Sequence, residues 1–136
     1  MVLLIDANVA IDYLLRREGF CESAREIIAL CAKERMKGCL AFHSVSIIWY
    51  AMRKLEDSIR RANLKLLCTI LEIVSVSNPE VEYAIDKTVF KDFEDCLQDE
   101  CAASVHADYI ITRNVKDFTY SRVKAITPED FLKLYG

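Results

Sequence analysis

Residues 1–18 read MVLLIDANVAIDYLLRRE. The run at 2–5 is wholly apolar and ends abruptly at Asp6, which is the pattern of a strand buried on both faces. A helix is expected to follow over about 8–17. Asp6 is the notable residue of this stretch, because a charge placed directly after a buried strand is costly unless it is paired or bound to something. A strand, an acid and a helix in that order set a βα unit. Further along, CLAFH (39–43), EIVSVS (72–77), DYIIT (108–112) and VKAIT (123–127) read as four more strands. Helical spacing fills the intervals at about 20–36, 46–55, 57–71, 78–88, 92–106 and 128–135. Gly38 is read as the end of the second helix. Ser44 or Ser46 is read as a cap for the third, and Thr127 as a cap for the last. Strands alternating with helices, each strand nearly all apolar, predict an α/β fold. The expected form is a three-layer α/β/α sandwich around a mostly parallel sheet of about five strands.

Composition narrows the function classes. A chain of 136 residues is expected to form one domain over 1–136 with a real core. The net charge of −3 carries no overall footprint for nucleic acid, so such a partner needs local basic patches. No apolar run reaches the length of a membrane span. The N-terminus lacks the basic segment of a signal peptide, which points to the cytoplasm. Six cysteines without a CxxC pair, beside only two histidines (His43 and His106), argue against a structural zinc site. The cysteines read instead as small buried hydrophobes. No GxxxxGK[ST] or GxGxxG is present, which removes nucleotide-triphosphate and dinucleotide binding. A phosphotransferase using Asp6 as nucleophile calls for a DxD-type motif, and the chain has Asp6-Ala7-Asn8.

The stretch KDFEDCLQDE (91–100) gathers Asp92, Glu94, Asp95, Asp99 and Glu100. At about 100° per residue, Asp92, Asp95 and Asp99 fall within roughly a 60° arc beside an apolar arc of Phe93, Cys96 and Leu97. Taken alone, Asp92 reads as an N-cap, and Glu94 and Asp95 favour the positive end of the helix dipole. Asp99 and Glu100 read as surface or structural residues, and Asp12 as solvated or salt-bridged. Ligands of parallel sheets bind beyond the carboxyl ends of the strands. Asp6 follows the first strand, and Asn114 and Asp117 follow the fourth in TRNVKDF, so the fold can bring them to one edge with Asp95. Aspartate oxygens are hard ligands that suit Mg²⁺ or Mn²⁺.

The segments LIDANVAIDYLLRRE, DFEDCLQ and ADYIITRNVKDF, followed by ITPEDFL, resemble the PIN domain family in order and spacing across nearly the whole chain. The branch with a TRNxxDF segment is similar to VapC-type toxins. The resemblance implies a Mg²⁺- or Mn²⁺-dependent endoribonuclease. Asp6, Asp95 and Asp117 are then the catalytic acids and metal ligands, with Asp92 as a further ligand. Asn8, Asn114 and Arg113 are the substrate-side residues. It also implies RNA as substrate, a small antitoxin as partner and a homodimer. Arg16, Arg17, Arg53 and Lys54 are further candidates for steering phosphates. The chain departs from the family at one position: where a T-x-x-E acid is usual, HSVSIIWYAMRK places Ile47. Glu56 lies about two and a half turns further along and is too far to substitute. That departure carries the alternative of a catalytically impaired PIN-like domain that binds RNA or protein.

Overall fold

The computed structural model describes residues 1–136. Five strands, β1 (Val2–Ile5), β2 (Lys37–Ala41), β3 (Glu72–Val74), β4 (Tyr109–Ile111) and β5 (Ala125–Ile126), form one sheet in the order β3-β2-β1-β4-β5. Every pairing is parallel. β1 is central because its four residues are all apolar and can be buried on both faces. Successive side chains alternate between faces. Leu3 and Ile5 enter one core with Leu40, Ile111 and Phe131, while Leu4 enters the other with Cys39, Val74 and Ile110.

Seven α-helices cover the sheet. α1 (Ala7–Leu14), α2 (Cys21–Ala32), α3 (Phe42–Ala51), α4 (Asp57–Ile70) and α7 (Pro128–Tyr135) supply the larger core. α5 (Asn78–Asp86) and α6 (Phe93–Ser104) supply the smaller one on the opposite face. The expected three-layer α/β/α sandwich with a parallel five-stranded sheet is the observed architecture. No helix is long and apolar enough to cross a membrane.

Several local expectations differ. Gly38 does not stop a helix. It lies inside β2, where a Cβ would meet Leu71 Cδ2 at 2.5 Å and Cys31 Sγ at 2.6 Å, so its role is close approach of α2 to the sheet. α2 instead ends at Ala32, and the chain turns through Glu34 at φ +57°. α3 begins at Phe42 directly after β2, with neither Ser44 nor Ser46 as a cap. A four-residue 3₁₀ turn, Val115–Phe118, follows β4. Thr127 does cap α7, accepting from the Asp130 backbone N–H at 3.1 Å. Cys31, Cys39, Cys96 and Cys101 are buried as expected, but Cys68 is exposed and Cys21 half-buried, because each sits on the outer side of its helix.

Candidate functional site: an acidic cavity at the carboxyl edge of the sheet

The chain leaves β1 toward β2 on one side and pairs β1 with β4 on the other. The strand order therefore reverses beside β1, and a crevice opens there beyond the strand ends. Asp6 stands at its base as the N-cap of α1. Its backbone N–H donates to the Ile111 carbonyl at 2.9 Å, which fixes it against the end of β4. The carboxylate is 8% exposed and has four donors. Oδ1 accepts from Ala7 N–H at 2.8 Å and Gln98 Nε2 at 3.0 Å. Oδ2 accepts from Thr112 Oγ1 at 2.7 Å and Asn8 Nδ2 at 3.2 Å. Burial pushes its pKa up, while the bonds from Thr112, Ala7 and Gln98 oppose that shift by favouring the charged form.

α6 delivers the second acid. Asp92 is its N-cap, accepting from Glu94 N–H at 2.9 Å, as the acidic start of the helix led us to expect. Asp95 faces the cavity one turn later. Its pKa is pushed up to about 7, first by burial and then by the charges of Asp6, Asp92, Asp117 and Glu94. The third acid, Asp117, is held in the 3₁₀ turn by its N–H donating to the Asn114 carbonyl at 3.0 Å. Asn114 in turn is placed by its N–H on Thr112 Oγ1 at 3.0 Å. Asp6, Asp92, Asp95 and Asp117 all line one cavity of about 200 Å³, together with Asn8 and Asn114.

The structure thus brings together six of the seven residues singled out from sequence. The seventh, Arg113, does not line the acidic cavity. Its guanidinium lies on Asp12, with Nε 2.7 Å from Oδ2, and over the Phe20 ring at 4.1 Å. Asp12 is 1% exposed, so the pair is an internal tie between α1 and the β4 end rather than a free cation. Ile47 does line the cavity, where it presents a methyl surface among the acids.

Gln98 was not legible beforehand as a residue of the site. Gln98 is 2% exposed and bridges Asp6 to Ser44 Oγ, the latter at 3.1 Å. Its Oε1 is buried without a partner. Glu94 and His43 also border the cavity. Burial lowers the His43 pKa, and the Glu94 backbone and the neighbouring acids raise it in opposition. Asp99 departs from the acidic edge expected of it. It is fully buried on the side away from the cavity, bound by Lys87 Nζ at 3.1 Å, Ser121 Oγ at 2.7 Å and Arg122 N–H at 2.8 Å. Glu100 pairs with the same Arg122 at 2.7 Å.

No three His, Cys, Asp or Glu side chains converge into a ready-made cage. The donor set still fits a hard divalent ion. Mg²⁺ keeps several waters and needs only one or two direct carboxylates. Asp95 carries no protein hydrogen bond among the causes of its shift, so it is open to such an ion.

Residues 2–116 match the PIN domain family. Ribonuclease VapC1 of Aquifex aeolicus (strain VF5) is 26% identical over 139 residues, which covers 98% of this chain and 95% of that protein. Among solved structures, VapBC2 of Rickettsia felis bound to a DNA fragment from its promoter aligns with a TM-score of 0.71 at 17% identity, over 93% of this chain and 98% of that one. A toxin–antitoxin complex from Klebsiella pneumoniae aligns with a TM-score of 0.70 at 20% identity, over 93% and 97%. The Mycobacterium tuberculosis toxin VapC20, which cleaves the sarcin–ricin loop, aligns with a TM-score of 0.64 at 12% identity, over 79% and 86%. The acids at the ends of β1 and β4 and on α6 thus occur in a chain whose sequence matches that family over most of its length, and the protein belongs to the PIN domain family.

Proposed function

We propose that the protein is a divalent-metal-dependent endoribonuclease, in which Asp6, Asp95 and Asp117 hold Mg²⁺ or Mn²⁺ with help from Asp92. The observation that carries this reading is the convergence of these acids from β1, α6 and the turn after β4 on one cavity. A bound divalent ion supplies Lewis-acid stabilisation of phosphate charge and an activated water. Burial and the neighbouring acids push the Asp95 pKa up to about 7, and a bound divalent ion would favour its ionised, ligating form. Asp6, fixed by four donors, presents a carboxylate of set orientation. Asn8 and Asn114 line the same cavity, and on this reading their amides donate to phosphate or ribose oxygens.

The likeness to Ribonuclease VapC1 and to toxin–antitoxin complexes supports a toxin role with a small antitoxin partner. A homodimer acting in the cytoplasm belongs to the same reading. A second reading has its own observation: Ile47 lines the cavity wall at the position where the family resemblance implies an acid, and a domain impaired in catalysis would bind RNA or protein through the same fold. Calorimetry with Mn²⁺, wild type against Asp95→Asn, paired with RNA cleavage by the same samples, separates the two. Binding and cleavage by the wild type alone support the nuclease. Absence of wild-type binding at millimolar ion overturns it in favour of the binding domain.

A further inference from the structure

Gln98 stands on α6 one turn after Asp95, lines the acidic cavity and is buried. Its side-chain amide offers two N–H donors and one carbonyl oxygen. Both donors are in use, since Nε2 donates to Asp6 Oδ1 at 3.0 Å and to Ser44 Oγ at 3.1 Å. These bonds fix which way round the amide lies. Both Asp6 oxygens already accept from other donors, so a reversed amide would set acceptor against acceptor. Oε1 is therefore the end left over, and it is buried without a partner. A desolvated carbonyl oxygen without a donor is costly, and native chains seldom keep one unless an ion or a water completes the site.

The bond to Ser44 also places this amide. Ser44 and Ile47 lie three residues apart on α3 and so share a face of that helix. Gln98 is thereby tied to the face of α3 from which Ile47 lines the cavity, at the position where the resemblance implies an acid. Ile47 offers no oxygen there, and Gln98 brings one across from α6. An amide oxygen is a hard, neutral acceptor. A water held by a divalent ion is a strong donor, because the ion lowers its pKa. Mg²⁺ keeps several such waters, so an acceptor for one of them supports the ion without adding a carboxylate to a crowded acidic site.

We propose that Gln98 Oε1 accepts a hydrogen bond from a water of the divalent ion, so that a neutral amide takes the place of the acid absent at position 47. Asp6 and Ser44 are the two anchors that aim the amide. The inference rests on the metal-dependent reading of the cavity and deepens it by adding an uncharged member to the three aspartates.

Gln98 is the only glutamine of the chain, so glutamine labelled with ¹³C at the side-chain carbonyl and ¹⁵N at the amide reports on this group alone. The experiment adds Mg²⁺ at pH 8 to the labelled wild-type protein, first stripped of metal, and measures binding by calorimetry in parallel. The carbonyl carbon is expected to move downfield, as carbonyls do on gaining a donor, and to saturate with the calorimetric isotherm. A role exercised only through Asp6 has the opposite sign: the ion draws on that carboxylate, the Nε2 bond weakens, and the amide proton moves upfield with no downfield shift of the carbonyl. Binding with the carbonyl unmoved, or moved upfield, overturns the proposal. Two variants give a second measurement. Gln98→Glu keeps an oxygen at this place and Gln98→Met does not, while both lose the donor to Asp6, so the lost tether cancels between them. Gln98→Glu is expected to bind Mn²⁺ at least about tenfold tighter than Gln98→Met at pH 8. Equal affinities, or the reverse order, overturn the proposal. Absence of wild-type binding at millimolar ion removes the ion site and this role together, whereas binding with an unmoved carbonyl removes the role alone. A downfield carbonyl in a protein that cleaves no RNA supports the role and removes the nuclease.

Discussion

Asp95 is the residue at which charge, burial and function meet. Burial, Asp6, Asp92, Asp117 and Glu94 all push its proton affinity up, to a pKa of about 7. On the proposed reading, proton and metal ion compete for one carboxylate. Mn²⁺ affinity is expected to rise with pH through about 7, with release of a proton on binding near pH 6. Calorimetry in buffers of different ionisation enthalpy measures that proton count; a pH-independent affinity would remove Asp95 from the ligand set. The same shift has a stability sign. A carboxyl whose folded pKa lies above its unfolded value of 3.8 binds its proton more tightly when folded. This contribution declines as pH rises from about 4 to 7 and is gone above that. Asp95→Asn is accordingly expected to melt roughly 3 °C higher than wild type at pH 8 and no higher at pH 4, read by thermal unfolding. Gln98 gives a complementary case. Its amide bridges Asp6 and Ser44 with Oε1 left over. Gln98→Leu leaves two buried acceptors short of a donor, at a cost of ~1–3 kcal/mol. It also removes one of the four donors that orient the Asp6 carboxylate, so Mn²⁺ binding is expected to weaken several-fold.

Elements decide which side chains share a site, and here α6 is the instructive one. Its alternating acids and apolar residues made the helix legible, and Asp92 as its cap followed from residue chemistry alone. Which acids line the cavity did not follow from spacing alone. Residues three and four positions after Asp95 lie on either side of it around the helix axis. Packing against β1 and Ser44 turns Gln98 to the cavity and Asp99 to Arg122. Spacing put Asp99 on the acidic edge although its chemistry read as structural, and the structural reading is the one that holds, while the neutral Gln98 amide lines the cavity. Asp6, Asn114 and Asp117 were legible because each follows the end of a buried strand, where topology alone fixes the edge they occupy. Arg113 was misplaced for the opposite reason: its partner, Asp12, lies about a hundred residues away, and only the folded chain joins them. Asp99 then carries a structural prediction. Removing it leaves Lys87 without its carboxylate and Arg122 with Glu100 alone, beside a fully buried position. Asp99→Ala is expected to cost about 3 kcal/mol or more in urea unfolding, with Mn²⁺ affinity little changed in the folded fraction. α3 carries the reverse experiment. Ile47→Glu places a carboxylate in the cavity wall and is expected to tighten Mn²⁺ roughly tenfold. If affinity does not improve, the ion site lies beyond reach of position 47, and the departure there has no bearing on activity.

At the scale of the whole molecule, the three central acids come from residues 6, 95 and 117, held by the central strand, a helix of the smaller layer and the turn after β4. Like charges gathered from such distant segments oppose the compact state, and the Asp95 shift is the local sign of that opposition. An ion held by all three, as proposed, would remove the repulsion and tie β1, α6 and the 3₁₀ turn together. A ligand that binds only the folded chain stabilises it by ~2.7 kcal/mol at a hundred times its dissociation constant. For a chain of this size that corresponds to a rise in Tm of roughly 10 °C. Mn²⁺ is therefore expected to raise the Tm of the wild type by about that amount at pH 8, and to do little for Asp95→Asn. Amide hydrogen exchange locates the effect, because slowing should concentrate at Val115–Phe118 and the first turn of α6, where most residues are exposed. Stabilisation without protection of those two segments would mean that the ion binds elsewhere on the acidic surface. Protection there that survives Asp95→Asn would mean that Asp6 and Asp117 suffice to hold it.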